Sequence, residues 1–155
     1  MKKGLLLLAL LGGLFVNAQT VINLQEHSDA ELIDSLDAAF PPALGPDSIS
    51  PVMGDRLEEF QGEWIDFLTD FSGYLNDRDY RWGKPTRAFV RLYSNPEGEV
   101  QFILYKFYAG SMEESNYYRF PELLESFLKE NSIPLAEPAM LPFSQCGPVT
   151  FVDAP

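Results

Sequence analysis

Cysteine is almost missing from this chain: Cys146 is the only one. A single cysteine closes no internal disulfide, so the folded state must rest on apolar packing. Histidine is equally scarce, with His27 alone. That removes a zinc centre of clustered Cys and His and leaves one imidazole for any Ser–His or Cys–His device. There is no Gly-rich phosphate loop and no dinucleotide fingerprint. Positive charge is also short: 11 Lys and Arg stand against 23 Asp and Glu, for a formal charge of −12. Such a chain repels phosphate backbones and anionic lipid, which disfavours nucleic-acid binding and electrostatic membrane attachment.

Long hydrophobic runs are limited to one, at the start. Met1-Lys2-Lys3 is a short basic head, Gly4 to Phe15 an apolar stretch rich in Leu, and Val16-Asn17-Ala18 a small-residue cleavage site. This is the pattern of a secretory signal, and the stretch falls short of the about 20 residues a spanning helix needs. The expectation is a leader over 1–18, cut between Ala18 and Gln19, and a periplasmic or secreted product. No Cys follows the apolar run, so no lipid attachment is expected. Losing Lys2 and Lys3 with the leader takes the formal charge from −12 to −14.

The remaining charge is uneven. Arg56 is the only base between residues 19 and 77, whereas Arg78, Arg81, Lys84, Arg87, Arg91 and Lys106 fall close together. The plain reading is intramolecular neutralisation; the alternative is a docking patch for an acidic partner.

Ser28-Asp29-Ala30-Glu31 has capping-box spacing, and Leu32, Ile33, Leu36 and Phe40 follow at helical intervals before Pro41-Pro42. A helix over about 29–39 is predicted. Residues 41–54, with four prolines and two glycines, read as a linker or an irregular loop between this helix and the main domain. Asp55 to Glu58 repeats the capping spacing. Leu57, Phe60, Trp64, Phe67, Leu68 and Phe71 then form one apolar stripe, with Glu59, Glu63, Asp66 and Asp70 opposite and Gly73 as the stop. The stripe reads as core.

Two strands follow. Ala88, Val90 and Leu92 alternate with Arg87, Phe89 and Arg91; Asn95-Pro96-Glu97-Gly98 suits a type I turn; Val100 to Phe107 returns, apolar on both faces. A two-sided apolar strand is a central strand, so a free edge is expected on the Arg87–Tyr93 strand or on the last one. Pro121 opens a second core helix with Leu124, Phe127 and Leu128. Pro148 to Val152 reads as a final short strand, with proline at its first residue. The fold class is therefore α+β. Its order is α-β-β-α-β, with a small, mostly antiparallel three-stranded sheet packed by two helices, plus an extra N-terminal helix. Residues 19–54 hold that helix and the linker, and 55–155 the domain.

Phe60 with Gly62, Phe67-Leu68, Tyr74, the hairpin positions Val90, Leu92, Gly98 and Val100, and the Gly147-Pro148-Val149 run occur in an order that resembles the TonB C-terminal domain family over about residues 56–152. Energy-transducing members carry an uncleaved membrane helix and a long proline-rich spacer, and this chain shows neither pattern. The resemblance implies an interaction module that pairs a strand with a partner.

Catalytic signals are thin. Cys146 and His27 have nothing in the sequence that places them together. Ser126 and Lys129 match a Ser-x-x-Lys spacing without its companion motifs. Asn76-Asp77-Arg78-Asp79 lacks the later ligands of a calcium loop. No enzyme activity, cofactor or metal is expected. The leading expectation is an exported module of the bacterial cell envelope that binds another envelope protein or peptide by β-strand addition, with Arg87, Arg91, Tyr105 and Phe107 tuning specificity. The alternative is a small-ligand carrier with Trp82, Tyr105, Tyr117 and Tyr118 around an apolar cavity. A hydrolase built on scattered carboxylates comes third.

Overall fold

A computed structural model describes residues 19–45 and 51–153. The predicted leader and residues 46–50 of the predicted linker lie outside the described residues. The elements run β1 (Thr20–Asn23), α1 (Ala30–Ala39), α2 (Leu57–Asn76), β2 (Thr86–Ser94), β3 (Val100–Phe107), α3 (Glu114–Tyr117), α4 (Arg119–Glu130) and β4 (Phe143–Phe151). The class is α+β, but the sheet has four strands and is mixed. Its order is β1-β3-β2-β4. β1 runs parallel to β3, while β3–β2 and β2–β4 are antiparallel.

The core lies between one face of this sheet and the pair α2 and α4. Val90, Leu92, Ile103, Tyr105 and Phe107 from the sheet meet Phe60, Phe67 and Phe71 of α2 and Phe120 and Phe127 of α4. The packing is dominated by aromatic edges: the Phe71–Phe127 and Tyr105–Phe120 centroids are 5.0 Å apart. Trp82 stacks on Phe151 at 4.7 Å. Such pairs add about 0.5–1.5 kcal/mol each beyond the area they bury. The opposite face holds a smaller cluster. There Leu36 of α1 sits on Tyr93 and Leu104, with Ile33 and Phe40 beside them. The Asp37 carboxylate accepts from Arg91 and from the Tyr93 hydroxyl, both at 2.8 Å.

Several expectations are corrected. The N-cap of α1 is Asp29, whose carboxylate accepts from the Leu32 amide at 3.1 Å, and not Ser28. The start of α2 has no side-chain cap; a 3-10 turn over Gly54–Arg56 feeds it. Gly73 does not stop α2. Burial of Leu75 draws one more turn onto the core and outweighs the about 1 kcal/mol that glycine costs a helix interior. Both ends of the described part of this stretch pack on the main core, where Ala43 and Met53 are buried. Gln101 sits in a bulge, because Tyr93 pairs with Phe102 but Ser94 pairs with Val100. The bulge turns Val100 to the α2 face with Ile103, although strict alternation places it with Phe102.

Candidate strand-pairing edge

β2, read from its sequence as a possible edge, lies inside the sheet between β3 and β4. β3 is interior, as its two apolar faces require. The edges are β1 and β4. β4 begins at Phe143, five residues earlier than expected, so Pro148 sits inside the strand.

The backbone of β4 alternates. Ser144 turns both polar groups away from β2: its N–H donates to the Pro41 carbonyl at 2.8 Å and its C=O accepts from Ala43 at 2.7 Å. Every second residue shares that orientation, so Cys146, Pro148 and Thr150 also point their main-chain groups outward, while Gln145, Gly147, Val149 and Phe151 face β2. The strap Pro41–Ala43 covers the outward edge only at Ser144. From Cys146 to Phe151 no strand covers it among the described residues. Pro148 falls on an outward position, the one place in a sheet where a missing N–H breaks no ladder bond. Its presence there is itself a signature of an edge.

Beside this edge runs a groove of about 290 Å³ between α2 and β4, with Ile65, Leu68, Val149 and Val152 along it. Ile65 is 60% exposed and Val152 56%, among the larger apolar side chains left in solvent. On the other side of the sheet α1 covers only the Tyr93 and Leu104 half. Arg87, Lys106, Cys146, Pro148 and Thr150 are exposed there, and Phe89 is half-buried.

The four predicted partner-binding residues divide. Arg87 is exposed on the α1 side, its guanidinium 5.1 Å from the centre of the Tyr108 ring. Arg91 is held by Asp37. Tyr105 and Phe107 are 2% and 3% exposed and belong to the core; burial keeps the Tyr105 phenol well above its ordinary pKa of 10.0. They offer a partner no surface. The last strand was one of the two expected free edges and is an edge; its extension back to Cys146 and the groove residue Ile65 were not singled out by the sequence. The available signal was Pro148, which marks an edge strand as readily as a strand start.

The aromatic cavity expected of a carrier is filled. The void among Phe71, Tyr105, Phe120 and Phe151 is about 20 Å³, room for a single water at most. Trp82 is buried in the core, and Tyr117 and Tyr118 instead border a surface recess of about 340 Å³ beside β1. In it the Tyr117 hydroxyl accepts from Asn23 at 2.6 Å and donates to Glu26 at 2.9 Å.

The remaining chemistry is dispersed. His27 follows β1 and Cys146 lies on β4, the two sides of the sheet, three inter-strand gaps of about 4.8 Å apart. Lys129 pairs with Glu125 at 3.1 Å, not with Ser126. Glu63 is buried, but it accepts from the Ala136 amide at 2.6 Å and tethers the loop after α4. Among the described residues no group of His, Cys, Asp or Glu side chains gathers as a metal site, and no helix is long and apolar enough to cross a membrane. Comparison with family models, curated proteins and solved structures finds no match.

Proposed function

We propose that the protein is a small exported, non-enzymatic interaction module of the bacterial cell envelope, which takes up an extended segment of another envelope protein or peptide as an added strand. The observation that carries this reading is the outward edge of β4 from Cys146 to Phe151, which no strand covers among the described residues, with a groove of mostly apolar side chains beside it. A segment laid there gains main-chain bonds at Cys146 and Thr150, each contributing about 0.5–1.5 kcal/mol. Its alternate side chains would fall into the groove by Ile65 or onto the face that carries Arg87 and Arg91. Main-chain bonds supply affinity, and the groove and the two arginines supply selection. The resemblance to the TonB C-terminal domain family supports the same reading, as an interaction module without energy transduction.

The test places a photo-cross-linking residue at position 150 in cells and maps what it captures. Capture of an extended segment of an envelope protein, lost when Cys146→Pro and Thr150→Pro remove the outward N–H groups, is the expected result. Capture that persists unchanged in the double-proline variant overturns the proposal. Mass measurement of the exported chain is expected to find Gln19 at its N-terminus.

A further inference from the structure

The recess beside β1 is organised by one buried amide. Asn23 is only 9% exposed, and its carbonyl and side chain are spent on fixing two walls. The carbonyl accepts from the amides of Glu26 at 3.1 Å and His27 at 2.9 Å, and the side-chain oxygen accepts from the Gln25 amide at 3.0 Å. These bonds close the turn that carries Glu26. The side-chain nitrogen donates to the Tyr117 hydroxyl, which in turn donates to the Glu26 carboxylate. The turn after β1 and the end of α3 are thus locked together. A buried polar group is costly unless its partners are in place. Here its partners hold a carboxylate and a phenol ready at the border of an open recess of about 340 Å³, which is how a binding constellation is preorganised.

The other feature is an aromatic corner. Tyr117 and Tyr118 stand at 88° to each other with ring centres 5.5 Å apart, and both border the recess. The face of such a ring is its negative side. Tyr118 is 73% exposed, so burial does not account for its place. Three other tyrosine rings of this protein each carry a cation of their own: Arg78 at 3.4 Å over Tyr74, Arg87 at 5.1 Å over Tyr108 and Arg119 at 5.7 Å over Tyr80. Among the described residues Tyr117 and Tyr118 carry none, and the Glu26 carboxylate enters no ion pair. The only nitrogen base on the border is His27.

We infer that this recess binds an organic cation, an alkylammonium group seated between the Tyr118 ring face and the Glu26 carboxylate. An ammonium within about 6 Å of a ring centre is attracted by the ring, and the carboxylate adds a full opposite charge. Val21 and Pro121 supply apolar contact for the alkyl substituents. Other ligand classes fit worse. Glu26 repels an anion. A calcium-like ion wants about six oxygens or more, and no group of carboxylates gathers there. A neutral apolar ligand would cover the carboxylate without pairing it. The net charge of −12 favours the approach of any cation. The recess lies at β1, the opposite edge of the sheet from β4, so the inference is independent of strand addition. The ammonium has two sources, a free small amine or the lysine side chain of another protein.

The test titrates choline chloride into the protein against matched sodium chloride and follows the ring resonances of Tyr117 and Tyr118 by NMR. Both are expected to shift and to saturate in the millimolar range, while Tyr93, in the cluster under α1, stays still. The carbon isostere of choline has the same shape and no charge, and is expected to bind at least about fivefold more weakly. Glu26→Gln and Tyr118→Ala are each expected to weaken choline binding about threefold or more, and Tyr118→Phe, which keeps the ring, to retain it. Both side chains are exposed, so the far-ultraviolet dichroism of the variants is expected to match the wild type. A short capped peptide with one lysine among neutral residues separates the sources. Tighter binding than choline assigns the recess to a partner's side chain, and weaker binding to a free small cation. No saturable shift with either cation, equal binding of the uncharged isostere, or full binding in both Glu26→Gln and Tyr118→Ala overturns the inference.

Discussion

Gly98 shows how much one residue can decide. It closes the β2–β3 turn with φ +88°, and a Cβ there would lie 2.5 Å from the Ile133 carbonyl. The same position accepts from the Ile133 amide at 2.9 Å, so the turn and the segment after α4 are fixed against each other. Gly98→Ala combines a left-handed backbone with a collision, and is expected to lower stability by about 2 kcal/mol or more, read as a fall in the urea midpoint. Tyr93 acts through its proton. Desolvation, with the hydrogen bond to Asp37, pushes its pKa from 10.0 up to about 12. The folded state thus holds the phenol proton more tightly than the unfolded chain. The stability linked to that proton is fully present below about pH 10 and is lost as the pH rises towards 12. Burial raises Tyr80 and Tyr105 in the same direction. The urea midpoint is expected to fall steadily above pH 10, and less steeply in Tyr93→Phe; a midpoint flat to pH 12 contradicts this account.

At the scale of elements, α1 rests on a small cluster separate from the main core, through Leu36 and the Asp37 contacts. Leu36→Ala is expected to cost about 2 kcal/mol. By hydrogen exchange, the amides of α1 should lose protection while those of α2 and β2 keep theirs; equal loss throughout would mean a single cooperative unit. This division bears on what the sequence could reveal. The α2 and α4 stripes and the Asn95–Gly98 turn depend on neighbours in the chain, and they were legible. β1 is only Thr20–Asn23, and its one strand neighbour is β3, far along the chain, so its local pattern was too short to see. β2 stood as a possible edge only because β3 reads as central; its alternation of Arg87, Phe89 and Arg91 reports a partly uncovered face of the sheet, not an uncovered edge. The face is open because α1 reaches only half of it. The sequence left two candidates for the free edge, β2 and β4, since strand order is settled by long-range pairing. Pro148 alone favoured β4.

For the molecule as a whole, the imbalance of 11 bases against 23 acids means self-repulsion in the compact state. The ion pairs among the described residues are mostly at the surface, such as Lys129–Glu125 and Arg81–Asp79, and each contributes little. Added salt should therefore screen more repulsion than attraction. Raising sodium chloride from 0.01 to about 0.3 M is expected to raise the melting temperature, and a fall would show that the ion pairs dominate.

The parallel pairing of β1 with β3 has a consequence in time. β1 is made first, yet its partner is made only after α1, α2 and β2, with Thr20 meeting Phe102. A contact that closes so long a loop forms late, because the loss of chain entropy comes before the gain. Until it forms, one side of β3, a strand apolar on both faces, stands unpaired in the newly made chain. On this view β1 is the closing clasp of the sheet. Damage to it should leave the folding rate nearly untouched while it speeds unfolding and aggregation.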